Sequence, residues 1–508
     1  MELPRSSGIL AHITSLPSPF GIGDIGVSSY KFIDFLVECN QTYWQFLPTV
    51  PTNTLFDNSP YMSTSAFAGS PLLISPDLLF EAGLISKKTL SSHPDFSPYT
   101  TDHAAVNLFK SSILKEAYSN FNSSDSEEYQ AFLKKCKYWI EDYSLFMALK
   151  EKYSFFLWSR WPKDISSRDK DTLHSFRAEY STLINYYSFE QYIFFSQWDI
   201  LRNYAKEKKI SLFGDIPIYV GYDSADVWAH PEIFLLDSET QQPTIVSGVP
   251  PDYFSDTGQR WGNPLYDWHP NASSTKTELY NWWEERLESL FLQVDVARID
   301  HFRAFEAYWA IPADELTAIN GKWCKGPGRE FFEYISANLG DLNIVAEDLG
   351  VITQEVEELR DFLGFPGMKV LQFAFDNDPG NSHLPYNYSS HNCITYTGTH
   401  DNDTTVGWFL SDKLDDNMRK IVKKMTNRTH LDARSIHTDL IYLAQSSISK
   451  LTIFPLQDIL GFGNDCKMNS PGTPIGNWKW RCSKEFLTTD IAKYISSSTN
   501  LFGRGRKE

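Results

Sequence analysis

Eight short apolar runs divide this chain, and helix-period segments lie between most of them. They read GILAHITSL (8–16), YWQFLPTV (43–50), ISLFGDIPIYV (210–220), VDVARID (294–300), LNIVAED (342–348), MKVLQFAF (368–375), NCITYTG (392–398) and LTIFPLQ (451–457). The runs are rich in β-branched and aromatic residues and bounded by Gly, Pro or polar turns, which reads as strand. Between them, 28–39, 277–292 and 329–339 carry apolar residues at helical spacing. Gly340 stops the last of these, and Thr353 is placed to cap a helix running to Leu363. Eight strands alternating with helices is the count of an α/β fold of the (β/α)8 TIM barrel class. A doubly wound open sheet competes, but no GxGxxG follows the first run, and eight strands suit closure.

Two connections are far longer than a βα loop needs. Roughly 160 residues, mostly of helical pattern, separate the second and third runs, and roughly 75, rich in Pro, Gly, Trp and Tyr, separate the third and fourth. The chain is therefore expected to be a single catalytic unit over 1–508. Its barrel core spans approximately 1–55, 200–222 and 290–508, with a mainly helical insertion over 56–199 and a loop-rich insertion over 223–289. Both insertions leave from C-terminal strand ends, so both should overhang the active face. The closing SSSTNLFGRGRKE reads as a frayed tail.

Three of the runs deliver an acidic residue at their ends: Asp300, Glu347 and Asp401. In a barrel those ends converge on one site. Alternation along the fourth run puts Arg298 on the same face as Asp300, and a guanidinium there should lower the Asp300 pKa, as suits a nucleophile. Glu347 follows Ile344, Val345 and Ala346, and partial desolvation should raise its pKa, as suits a general acid. Asp401, preceded by His400, could grip sugar hydroxyls. Carboxyl groups on adjacent strands could lie about 5 Å apart, the separation of retaining glycosidases. An Arg-x-Asp pair is as readily a structural ion pair, and an acid past a strand is often a cap. Three such coincidences shift the balance towards catalysis. His301, Asp401 and Asp403 have metal-ligand chemistry but no compact spacing, so no catalytic metal is expected.

A net charge of −18 argues against nucleic acid and against anionic membrane surfaces as partners. The aromatic share of 15% includes 15 Trp, whose flat rings can stack on sugar faces. The six cysteines are scattered with no CxxC, the N-terminus lacks an apolar signal core, and no run approaches a membrane span. A cytoplasmic location is the expectation.

Several segments, taken together and in order, resemble the 4-α-glucanotransferases, also called amylomaltases or disproportionating enzymes, among the α-amylase-like barrel enzymes. They are RSSGILAHITSLPSPFGIGDIG, WQFLPTVPT, SPYMSTSAFAGSP, GDIPIYV, DSADVWAHPE, GVPPDYFSDTGQRWGNPLY, ARIDHFR, AEDLG, FPGMKVLQF, GTHDND and MNSPGTPIGNWKWR. GVPPDYFSDTGQRWGNPLY is the most specific. The resemblance implies a nucleophile at Asp300, an acid/base at Glu347 and a transition-state stabiliser at Asp401. It implies substrate contacts from Tyr61, Asp215, Arg298 and His400, an acceptor-side wall from Asp252 and Trp261, and help from Asn469. Packing alone would account for Tyr61 and Trp261, and a buried hydrogen bond for Asp215. The implied activity moves α-1,4-glucan segments between malto-oligosaccharides, or glycogen- and starch-derived dextrins, by retaining double displacement without a cofactor. An α-amylase-like hydrolase is the alternative. Met62, Phe56, Ala304 and Lys467 depart from the usual pattern, and none of them is one of the three carboxylates.

Overall fold

The computed structural model describes residues 3–122, 126–251 and 255–506. Eight parallel strands form its centre: Ser6–Leu10, Tyr43–Gln45, Ser211–Pro217, Val296–Asp300, Ile344–Ala346, Gly367–Val370, Cys393–Tyr396 and Leu451–Pro455. They are called barrel strands one to eight below. Their hydrogen-bonded order runs six, seven, eight, one, two, three, four, five. Across the remaining gap the Ala346 N–H donates to the Pro366 carbonyl at 2.9 Å, which nearly closes the barrel. The fold is the expected TIM-barrel class.

The strands are shorter than the apolar runs that announced them. The first run continues past Leu10 into a 3-10 turn at Ile13–Ser15, the sixth into one at Leu371–Phe373, and the eighth into a short helix at Leu456–Leu460. Ile13, Leu371 and Leu456 are nonetheless fully buried. Beyond the strand ends the chain still needs apolar residues to floor the active face, so hydrophobicity overstates strand length there.

Between strands two and three stand the helices His103–Asn120, Glu127–Lys135, Lys137–Lys152 and Ser181–Glu207. Asp102 caps the first by accepting from the Ala105 N–H at 3.1 Å. The long last helix grips the loop after strand two through buried amides. Gln191 accepts from the Gly69 N–H at 2.7 Å and donates to the Gly69 carbonyl at 3.0 Å. Gln197 makes the same pair of bonds with Ser75, at 2.7 and 3.2 Å. A side chain at Gly69 would meet the Phe194 ring at 2.1 Å, so the helix lies directly against that backbone.

A second sheet was not anticipated. Its antiparallel order is Gln259–Pro264, Ile245–Val249, Ala307–Pro312, Lys322–Lys325. Two of its strands lie in the connection after barrel strand three and two in the connection after strand four. Gly248 and Gly262 interrupt the alternation that would have marked them, and only tertiary pairing unites the halves. Among the described residues no helix is long and apolar enough to cross a membrane.

Up to residue 506 the segment expected to be a frayed tail is ordered into the fold. Thr489–Leu501 is a helix, with the Thr488 hydroxyl accepting from the Ile491 N–H at its start. Beyond it Arg504 is fully buried and donates to the carbonyls of Ser6, Gln445, Ser447 and Lys450 at 2.9–3.3 Å. One guanidinium thus ties the chain end to barrel strands one and eight, an interaction that composition cannot reveal. Arg504→Ala removes four buried hydrogen bonds, although Gln445 and Ser447 keep Arg5 as donor and Lys450 keeps the Ser6 N–H, and should cost about 2 kcal/mol in urea unfolding. An unchanged urea midpoint would show that the tail is dispensable.

Candidate active site

Strand pairing assembles the site. Asp215 on barrel strand three lies in register with Arg298 on strand four, and Ile299 on strand four with Ala346 on strand five. One residue further along are Asp300, the last residue of strand four, and Glu347, the first residue after strand five. Arg298, 4% exposed, donates from Nε to Asp215 Oδ1 at 3.0 Å. Its Nη2 reaches Asp215 Oδ2 and Asp300 Oδ1, each at 2.8 Å. The guanidinium fork is planar and permanently charged, so it fixes both carboxylates in position.

Tyr61, from the loop after strand two, donates its hydroxyl proton to Asp215 Oδ2 at 2.7 Å. The same oxygen lies 2.9 Å from His400 Nε2, and the two rings stack with centroids 5.3 Å apart. A hydroxyl has one proton, and Asp215 takes it, so the contact with His400 requires the imidazole to donate from Nε2. Burial holds the His400 pKa low, which keeps the ring neutral. His400 Nε2 is also 3.3 Å from Asp401 Oδ2, and Asn469 Nδ2 donates to Asp401 Oδ1 at 2.7 Å. Tyr61, Asp215, Arg298, Asp300, His400, Asp401 and Asn469 therefore form one polar network.

Glu347 joins from strand five. Its Oε2 accepts from the His301 N–H at 2.8 Å and its Oε1 from the Leu349 N–H at 3.0 Å. His301 adopts a left-handed φ of 54° at the turn that follows Asp300. This tight turn presents its N–H to the neighbouring strand end. Burial raises the Glu347 pKa, and the charge of Asp300 raises it further.

The expectation that Arg298 would hold Asp300 low needs correcting. Burial lifts the Asp300 pKa, Arg298 opposes the rise, and Asp215 and Asp401 add to it. The physical reason is that burial outweighs the attraction of Arg298, which is divided between Asp300 and Asp215, whose side chain is 1% exposed. The Asp300 side chain nevertheless keeps 32% of its surface exposed. The pair still has a definite order. Asp300 touches a cation while the oxygens of Glu347 accept from backbone N–H groups, so Glu347 is the more readily protonated of the two.

Trp261 sits on the second sheet with its ring perpendicular to that of His301, the centroids 4.8 Å apart and the planes at 88°. Asp252 lies outside the described residues. The residues considered for a metal do not converge. Asp403 is paired with Lys413 at 2.6 Å and Lys467 at 3.0 Å, and no group of three or more His, Cys, Asp or Glu suited to a metal occurs among the described residues. Sequence reasoning missed the part played by the His301 backbone. The only local signal was an acid at a strand end followed at once by a turn.

Comparison with known proteins follows the geometry. A family model described as 4-alpha-glucanotransferase matches residues 11–488. A 4-alpha-glucanotransferase of Synechocystis sp. is 48% identical over 98% of each chain, and one of Thermus thermophilus is 44% identical over 95% of each. Among solved structures, the amylomaltase from Streptococcus agalactiae in complex with acarbose has a TM-score of 0.93 and 40% identity, covering 99% of this chain and 100% of that one.

Asp300→Asn removes the like charge that helps to raise Glu347. The Glu347 pKa should then fall towards the ordinary glutamate range, as followed by carboxyl-carbon NMR of glutamate-labelled protein. A Glu347 titration unmoved by the substitution would break the coupling.

Proposed function

The chain belongs to the 4-alpha-glucanotransferase family, and from that premise we propose how its own groups carry the reaction. The protein transfers α-1,4-glucan segments. In this reading the Asp300 carboxylate attacks the anomeric carbon of a malto-oligosaccharide while Glu347 gives its proton to the departing glycosidic oxygen. The carbon–oxygen bond breaks, the reducing-end fragment leaves, and the rest of the chain stays as an ester on Asp300. Glu347, now a carboxylate, takes the proton of an acceptor 4-hydroxyl. The new oxygen attacks the same carbon, the ester bond breaks, and the α configuration is retained. The carboxyl groups supply all the chemistry of both steps.

The observation that carries this assignment is the unequal pairing of the two carboxyls. Asp300 is ion-paired at 2.8 Å and suited to act charged, while Glu347 has no cation on it and is suited to hold the proton. Asp401, with Asn469 and neutral His400 beside it, is the group to grip sugar hydroxyls near the reacting carbon. Trp261 would wall the acceptor side, and Asp252 is assigned there with it. A sugar rather than water must resolve the ester, and the structures overhanging the strand ends are the means of excluding water. An α-amylase-like hydrolase has less behind it, because relatives at 48% and 44% identity carry the transferase name. Six free cysteines suit a reducing compartment, which supports a cytoplasmic assignment.

Maltotriose is the discriminating substrate. Transfer should yield glucose together with a ladder of longer oligomers, whereas monotonic breakdown to glucose and maltose would favour the hydrolase. Asp300→Asn should lower turnover by about 10⁴-fold with the circular dichroism spectrum unchanged. Substantial residual transfer in that variant would remove Asp300 from the nucleophile role.

A further inference from the structure

The segment KYSFFLWSRW, 152–161, takes no part in the chemistry above, yet its backbone is strained. Helix Lys137–Lys152 runs out into Ser154 and Phe155, both left-handed with φ of 52° and 59°. Helices often end on a left-handed residue, but glycine or asparagine usually occupies it because a Cβ crowds the backbone there. A phenylalanine in that conformation is a genuine outlier. Buried Lys150 holds the turn. Its Nζ donates to the carbonyls of Phe155 and Phe156 at 3.0 and 2.9 Å and pairs with Asp223 at 2.5 Å, with both side chains 2–3% exposed.

The result is two adjacent rings held outwards. Phe155 is 55% exposed and Phe156 61%, while Trp158 two residues on is fully buried. The hydrophobic effect alone would turn those rings inward. The turn is also anchored to the active face. Asp223 accepts from the Trp158 N–H at 3.3 Å, Trp158 Nε1 donates to the Tyr222 carbonyl at 2.8 Å, and the Ala225 N–H donates to the Thr64 carbonyl at 2.9 Å. Tyr222, Asp223 and Ala225 belong to the loop leaving barrel strand three, and Thr64 to the loop that carries Tyr61.

We propose that Phe155 and Phe156 form a second glucan-binding site, stacking on the apolar faces of glucosyl units of a long α-1,4-glucan away from the catalytic carboxylates. This rests on the transferase reading above. The chemistry selects a sugar chain over other occupants. Lys150 is consumed by its three acceptors and offers nothing to an anion, and two rings are far smaller than the roughly 800 Å² that each partner buries in a stable protein interface. A pyranose presents a flat C–H face to an aromatic ring and needs no larger patch.

The test is the double variant Phe155→Gly/Phe156→Ser, with Phe155→Tyr/Phe156→Tyr as the conservative control. Glycine removes the strain at residue 155, so thermal unfolding should be unchanged or shifted upward. In native gels containing glycogen, the apparent affinity of the Gly/Ser variant should fall about fivefold or more, while maltotriose turnover stays within about twofold of the parent. The Tyr/Tyr variant should bind glycogen as the parent does. Unchanged glycogen affinity in the Gly/Ser variant overturns the site. So does a joint fall in melting temperature and maltotriose turnover, because the rings would then be packing elements. Failure of the parent protein to build a ladder from maltotriose would instead strike the transferase reading, and the comparison of glycogen retention would remain readable.

Discussion

Arg298 carries one positive charge and divides it between two carboxylates, and the geometry of the site depends on that division. Asp215 takes two of its N–H bonds and Asp300 one. A buried guanidinium with a single partner would be costly, and a single carboxylate beside it would be held firmly ionised. Sharing the charge leaves Asp300 fixed in position with a pKa that burial can still lift. Tyr61 and His400 extend the same network to Asp401, so a change at Asp215 would be felt along it.

Glu347 stands outside this network by design of the backbone. Its two oxygens accept only from main-chain N–H groups, one supplied by the left-handed turn at His301. With no cation in contact and Asp300 close by, it is the group on which a proton is most stable. Two carboxyls at neighbouring strand ends thus stand in different surroundings, which is what the proposed division of labour needs. The His301 ring also meets the Trp261 ring at right angles, which links the end of barrel strand four to the second sheet.

Much of this was legible in the chain because it is local. Asp300, Glu347 and Asp401 each end an apolar run, and eight such runs in alternation with helices leave few folds to choose from. What was not legible depends on distant partners. Arg298 meets Asp215 across 83 positions, so its charge is divided, and burial outweighs what it does to lower Asp300. Arg504 meets Ser6 across 498, and so an apparent tail became part of the barrel floor. The second sheet draws its strands from two different connections. The strand ends were overestimated for a related reason, since Ile13 and Leu456 are buried without being strand.

The central claim is that Asp300 forms the covalent bond and Glu347 moves the protons. It is tested most directly in Glu347→Gln given a maltosyl fluoride of α configuration. Fluoride leaves without a proton donor, while the acceptor can no longer be deprotonated, so a maltosyl ester should accumulate. Mass spectrometry of the acid-quenched, digested protein should find that ester on the peptide bearing Asp300. A label on Asp401, or rapid release of a β-configured product with no label, would contradict the account.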